Sequence, residues 1–559
     1  MRLLRLAVLL ALVALGTARA QAGEALILRG GAVYTLDARQ PWASAVVVRD
    51  GRIAYVGDDA GAEAYAQGAQ VIALEGRMVL PGFHDAHVHP MSGGMRLLRC
   101  ALGGLKTAQA IYAAVRACAA AEPKRAWLMG AGWSPEAFGE GGPRREELDA
   151  LVPDWPAYLT TEDGFTAWVN SRALAIAGID ARGPQHAGIA RDPTTQEPTG
   201  VLKYDATELV RRHIPPPSEA EYREALRRST AMLNRFGVTS LFDASASPAL
   251  LDAYHAADAA GELTVRVVAA QRIDAAQEPE QIDAMIAARE RVRGRRFRAD
   301  AAKIFLDGEI DQHTAAMLAP YANASERGKL FVKPAALNAI VSRLDREGIL
   351  IHMHAMGDGA VRAGLDAIEG AINANGARDR RHQLAHIGVA DPVDIMRFGR
   401  LGVGANFTPV WAQSEDPAMA GMKAALGPKR ARWIYPMASV AAGGGRLTAG
   451  SDWPSPSLNP LDGIQVAITR RPLDGGKAAE QPEERIALAA ILRAYTIDAA
   501  WGAREETING SIEVGKVADL IVLDRNLFKT RAGDIHRAHV LLTLIDGEPV
   551  WRDPRIVWR

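Results

Sequence analysis

Five short apolar runs between Val79 and Pro454 each carry a histidine, a lysine or an aspartate at or near their C-terminal end. No other feature of the chain restricts its fold as much. The first run is Val79-Leu80-Pro81-Gly82-Phe83-His84-Asp85-Ala86-His87-Val88-His89-Pro90. The second, Ala301-Ala302-Lys303-Ile304-Phe305-Leu306-Asp307-Gly308, sets a lysine inside an apolar stretch. The third is Ile351-His352-Met353-His354-Ala355-Met356-Gly357-Asp358-Gly359, and the fourth Arg381-His382-Gln383-Leu384-Ala385-His386-Ile387-Gly388. The fifth, Arg446-Leu447-Thr448-Ala449-Gly450-Ser451-Asp452-Trp453-Pro454, ends on a carboxylate. Three of these segments hold seven of the chain's thirteen histidines. A parallel (β/α)₈ barrel gathers functional groups at the C-terminal ends of its strands, where all five segments would put theirs.

The segments between these runs fit the same architecture. Residues 219–236 read as a helix and lead through Gly237 into a strand at 238–242; residues 334–347 lead through Gly348 into a strand at 349–354. That alternation is the pattern of a parallel barrel. The two ends differ from the middle. Residues 25–29, 32–36, 45–49 and 52–56 read as short strands, with Asp50-Gly51 marking a hairpin. Residues 518–523 and 539–545, and Asp546-Gly547 before Val550-Trp551, have the same texture. The fold class expected is α/β: a (β/α)₈ TIM-like barrel, a small β-sandwich built from both chain ends, and an insertion over the barrel mouth. The boundaries are 21–80 and 506–559 for the sandwich, 81–505 for the barrel and about 125–217 for the insertion, which is rich in Gly, Pro and Trp with few clear strands.

Charge and cysteine usage narrow the function classes. Lysine plus arginine equals aspartate plus glutamate, 65 each, so no basic excess exists to bind a phosphate backbone. Arg2 and Arg5 precede an uncharged run from Leu6 to Leu15, and Ala18-Arg19-Ala20 follows as a cleavage site. Residues 1–20 therefore read as a secretory signal peptide, too short to span a bilayer, and the mature protein as exported, to a periplasm. Cys100 and Cys118 are either a short bridge or two buried free thiols. Neither lies in a C-x-x-C pattern, which sets cysteine metal sites aside.

His87 and His89 alternate along a strand, so they share a face and can grip one ion. A lone H-x-H is weak evidence, and its bland alternative is a hydrogen-bonded core pair. The coincidence of five segments is what argues for a metal site. Lys303 sharpens the argument, because burying an ammonium costs several kcal/mol unless its charge is removed or paired. His352 reads as a satisfied core histidine, and His382 as a support for His386 rather than a ligand. His84 reads as structural and Asp85 as an orienting group for the loop after the first strand. His313, in Asp311-Gln312-His313-Thr314, either touches substrate or caps a helix.

These motifs, with Gly510-Ser511-Ile512-Glu513-Val514-Gly515-Lys516-Val517-Ala518-Asp519-Leu520, resemble the amidohydrolase superfamily and within it the YtcJ-like (amidohydrolase 3) group. The resemblance covers almost all of the mature chain. It implies two divalent ions, zinc first and Mn, Fe or Co as alternatives. His87, His89 and Asp452 would hold the more buried ion, and His354 and His386 the second. Lys303 would be carboxylated and bridge both; unmodified, it would leave a mononuclear site. The implied reaction is cleavage of a C–N bond in an amide, N-acyl, formamide or carbamate by a metal-bridging hydroxide, with Asp452 as proton carrier. One departure stands out: Thr161-Glu162-Asp163-Gly164-Phe165-Thr166 has Phe165 where related sequences carry histidine, so an apolar wall replaces a hydrogen bond. Trp133, Phe165, Trp168, Trp411 and Trp453 are candidates for an aromatic pocket or for ordinary core, and Trp133, Phe165 and His313 are the candidate substrate contacts. Two other readings stay open: a mononuclear deaminase of a heterocyclic amine using His87, His89, His354 and Asp452, and a non-catalytic periplasmic binding protein on the same barrel. The expected partner is a small amide-type molecule, with no nucleic acid and no membrane span in the mature chain, and a homodimer is one assembly compatible with it.

Overall fold

The computed structural model describes residues 25–121, 126–139, 141–161, 164–274, 280–455 and 457–558. The expected signal peptide lies outside the described residues. So do Glu162 and Asp163, next to Phe165.

Eight strands form one all-parallel sheet. In chain order they are β1 (Phe83–Val88), β2 (Val238–Ala246), β3 (Arg266–Arg272), β4 (Phe297–Phe305), β5 (Leu350–Ala355), β6 (Gln383–His386), β7 (Gly404–Phe407) and β8 (Arg446–Ala449). Each pairs with its sequence neighbour. Apart from charged rim positions such as Arg272 and Arg446, they are nearly continuous buried runs, as expected of strands covered on both faces. The helices between them are bounded by local chemistry. Ser218 and Glu221 form a reciprocal capping box at the start of helix Glu219–Arg235. Pro334 opens helix Pro334–Arg346, and Gly348, at φ +71, turns the chain into β5.

The barrel closes just beyond the ends of β1 and β8. The Asp452 amide donates to the His87 carbonyl (2.7 Å), the His89 amide to the Trp453 carbonyl (2.9 Å), and Asn406 Nδ2 to the Ala86 carbonyl (3.1 Å). Closure therefore runs through the residues that carry the candidate ligands.

Both chain ends build the flanking β structure. A four-stranded sheet takes Arg52–Gly57, Ala45–Arg49, Leu26–Arg29 and Gln70–Ala73. A six-stranded sheet runs Glu548–Arg552, Val540–Ile545, Leu520–Leu523, Met78–Pro81, Ala32–Tyr34 and Trp42–Ala43. Leu520–Leu523 pairs antiparallel with Met78–Pro81, and Leu28, Val46, Val79, Val522 and Leu542 share one core.

The insertion differs from its sequence reading. Its sheet starts at Cys100–Ala101, well before residue 125, and has six strands, with Leu128–Trp133, Ala157–Thr161, Thr166–Val169, Ile189–Arg191 and Pro198–Lys203. The helical periodicity of Ala108–Ala121 resembles a barrel helix, but that helix belongs to the insertion's own core with Ile111, Val115 and Trp133. Cys100 and Cys118 are disulfide-bonded across it. Among the described residues no helix is long and apolar enough to cross a membrane.

Candidate metal centre

The strand ends bring His87, His89, His386 and Asp452 together. Ligand atoms of His87, His386 and Asp452 all lie within 4.8 Å of one another. Asp452 Oδ1 stands 3.4 Å from His87 Nε2 and 3.1 Å from His89 Nε2. Two ligands bound about 2.0–2.1 Å from a tetrahedral ion stand about 3.4 Å apart, so these separations match the edges of a coordination polyhedron. Buried His87 Nε2 and His386 Nδ1 have no hydrogen-bond partner among the described residues. An orphaned ring nitrogen is costly unless a cation takes its lone pair, so the donor set fits a divalent metal.

Local backbone geometry supports this convergence. His386 and Asp452 have φ of +73 and +52, a left-handed conformation that costs non-glycine residues about 1–3 kcal/mol. Gly450 lets β8 approach β1: a Cβ there would stand 2.4 Å from the His87 amide nitrogen. Asp85 pins the two strand ends by accepting the amides of Ser451 (2.9 Å) and His87 (3.2 Å), and burial pushes its carboxyl up to about 7.

Lys303, two residues before the end of β4 and 1% exposed, has its Nζ 4.8 Å from the Phe305 ring centre. Burial lowers its ammonium to about 8, with Asp452 opposing. Burial, followed by the Lys303 charge, holds His87 and His352 well below the ordinary imidazole value. A lysine so easily made neutral is chemically suited to carboxylation. His354 lies beside this group, 4.8 Å ring to ring from His386. Its Nδ1 is 3.3 Å from Asp307 Oδ1 and its Nε2 3.5 Å from Glu309 Oε1.

His352 lies against His87, 4.8 Å ring to ring, whereas His382, His84 and His313 lie elsewhere. His382 Nε2 meets Asp345 Oδ1 at 3.0 Å and its Nδ1 accepts the Ile351 amide, so it serves the far end of the strands. His84 is buried early in β1. His313 stacks on Tyr321 (4.4 Å) within the loop after β4. Trp133 is buried in the insertion with Phe138 and Trp168, and its indole donates to the Leu159 carbonyl, a packing position rather than a binding surface. Phe165 is exposed on a turn of the insertion, 6.4 Å from Tyr204. Trp411 stacks on the His386 ring (5.3 Å), and Trp453 packs where a Cβ on Gly93 would collide with it.

The sequence reading gave no role to Glu309, Asp307 or Gln383. Asp307 accepts amides from Ala316, Met356 and Gly357, which holds its side chain facing His354. Its place four residues after Lys303, ahead of a glycine, was the available signal.

The profile of the amidohydrolase family matches residues 70–551. The chain belongs to that family. An Arabidopsis thaliana relative, Protein LONG AFTER FAR-RED 3, is 30% identical over 94% of this chain and 91% of its own length. N-substituted formamide deformylase of Arthrobacter pascens is 28% identical over 93% of this chain and 97% of its own. A metal-dependent hydrolase from Pyrococcus furiosus shares the fold with a TM-score of 0.74 at 24% identity, covering 90% of this chain and 99% of that one. As a member of the amidohydrolase family the protein is a hydrolase, of an enzyme family that acts on small molecules.

Proposed function

We propose that the protein hydrolyses a C–N bond in a small amide, N-acyl, formamide or carbamate, with divalent ions held by His87, His89, Lys303, His354, His386 and Asp452. The observation that carries this reading is the convergence of three histidines on Asp452. His87 Nε2 and His89 Nε2 stand at coordination-edge distances from its Oδ1, and His386, whose buried Nδ1 is orphaned like His87 Nε2, lies in the same compact group. The formamide chemistry named for the Arthrobacter relative supports an amide-type substrate. A bound divalent ion would supply Lewis acidity and water activated at neutral pH.

The chain's own groups do the rest. His87 is fully buried, while the side chains of His89 and Asp452 keep 26% and 14% exposure, so substrate enters on their side. Asp452 reaches both histidines through Oδ1 and is the group placed to accept the proton of the attacking water and return it to the leaving amine. Phe165 and His313 are proposed to border the substrate. Export to an oxidising compartment is part of the proposal, and the Cys100–Cys118 bridge supports it.

A single-ion deaminase is a second reading: among the described residues one compact group is found, His87, His386 and Asp452, although it holds His386 in place of the His354 expected for that reading. Metal analysis of the purified chain and the mass of the Lys303 peptide separate the two. Two equivalents of metal and a carbamate mass gain support the hydrolase; one equivalent and unmodified lysine support the deaminase. On a panel of N-acyl, formamide and carbamate compounds with Zn²⁺ or Mn²⁺ supplied, Asp452→Asn is expected to lower turnover about 10²- to 10⁴-fold with melting unchanged. Near-normal turnover would remove Asp452 from the mechanism.

A further inference from the structure

Both ring nitrogens of His352 are engaged inside the barrel, although the reaction above gives it no role. Its Nε2 lies 2.9 Å from His87 Nδ1, and its Nδ1 3.3 Å from Gln383 Oε1. Gln383 Nε2 donates to the Gly502 carbonyl at 2.8 Å. His87, His352 and Gln383 are all buried.

Proton positions along this chain follow from its far end. A backbone carbonyl only accepts, so the amide NH₂ of Gln383 faces Gly502 and Oε1 faces His352. The reversed amide would set two oxygens at that same short distance. An oxygen beside His352 Nδ1 calls for a proton on Nδ1, and a neutral ring then has a bare Nε2. That bare nitrogen accepts the Nδ1–H of His87. His87 is left with its lone pair on Nε2, the orphaned atom that faces Asp452.

We propose that His352 and Gln383 are positioning residues: through them the Gly502 carbonyl locks His87 as the Nδ1–H tautomer, presenting Nε2 to a cation before one arrives. The purpose of the device rests on the metal-centre reading; the tautomer itself does not. Histidine ligands usually give their second N–H to a carboxylate, a carbonyl or water. Here a neutral imidazole takes it, which orients the ring without adding negative charge beside Lys303.

The test uses the full chain stripped of metal with a chelator. Nitrogen-15 shifts of labelled histidines, assigned with a His87 variant, should show His87 protonated on Nδ1. His352→Phe removes the acceptor and keeps a ring beside Phe242, now 4.8 Å away. It should weaken Zn²⁺ binding, measured by chelator competition, about 10- to 100-fold, and the two buried atoms it leaves unpartnered, His87 Nδ1 and Gln383 Oε1, should lower the melting temperature of the stripped protein. His352→Gln, which restores an acceptor, should recover most of that affinity, and Gln383→Leu should lose part of it. His87 protonated on Nε2 in the stripped wild type would overturn the proposal, as would wild-type Zn²⁺ affinity in His352→Phe. If His352→Phe does not fold, the tautomer and Gln383→Leu decide. A wild type that binds no Zn²⁺ defeats the metal-centre reading and leaves the tautomer measurement standing.

Discussion

At the residue scale, the centre depends on positions where ordinary backbone rules are broken. His386 and Asp452 sit at positive φ, and Gly450 admits the His87 amide where a methyl group would collide with it. Gly450→Ala must push β8 away from β1, since the clash is with backbone that cannot rotate aside. The expected cost is about 1–3 kcal/mol of stability, read as a lower melting temperature, together with weaker Zn²⁺ binding. A variant that melts lower but binds Zn²⁺ like wild type would show that the strand ends adjust independently of the ligands. The spacing of His87 and His89, and the run before Asp452, could be read from the sequence because strand alternation fixes which side chains share a face. The orienting roles of Gln383 and Asp307 could not. Gln383 acts on His352 from a neighbouring strand, and Asp307 gathers amides from two separate loops, so only the assembled barrel reveals either.

At the scale of elements, the barrel strands and their helices were legible and the insertion was not. β2 and β5 follow helices with clear periodicity and a glycine exit, whereas Leu128–Trp133 contains Gly130 and Gly132, and Pro198–Lys203 opens on proline and contains Gly200. Few β-branched residues mark these strands, and tryptophan and leucine supply their core instead. The insertion holds cores separate from that of the barrel, and its edge strand is tied to helix Ala108–Ala121 by Cys100–Cys118. Closing a loop of 18 residues is worth about 3 kcal/mol through the unfolded chain. Reduction, or Cys118→Ser, should therefore loosen the insertion alone. Limited proteolysis should cut faster between residues 100 and 217 while barrel fragments persist. Equal protection of the insertion with and without reductant would mean that its apolar cores suffice.

At the scale of the whole molecule, the two chain ends meet in one sheet, with Leu520–Leu523 seated between Met78–Pro81 and Val540–Ile545. The texture of both ends pointed to this pairing, but the junction that ties the sheet to the barrel was not visible. Arg266, the first residue of β3, pairs with Asp519 at 2.7 Å and with Asp546, which Arg296 also holds at 2.6 Å. Burial alone would raise the Asp546 carboxyl, but Arg266 and Arg296 hold it below its ordinary value. A carboxyl depressed in the folded state contributes stability above the ordinary carboxylate range, and that contribution is lost as pH falls through the folded value. Arg266→Met would leave Asp519, buried, and Asp546 without this guanidinium, at a cost of about 3–5 kcal/mol near pH 7. In the variant the stranded carboxyl titrates higher, so acid neutralises it first and relieves the penalty. The difference in melting temperature between wild type and Arg266→Met should therefore be widest near neutral pH and narrow steadily as pH falls through the carboxylate range. A deficit that stays constant with pH would assign Arg266 to packing, and the ionic part of the junction would then rest on the pairing of Arg296 with Asp546.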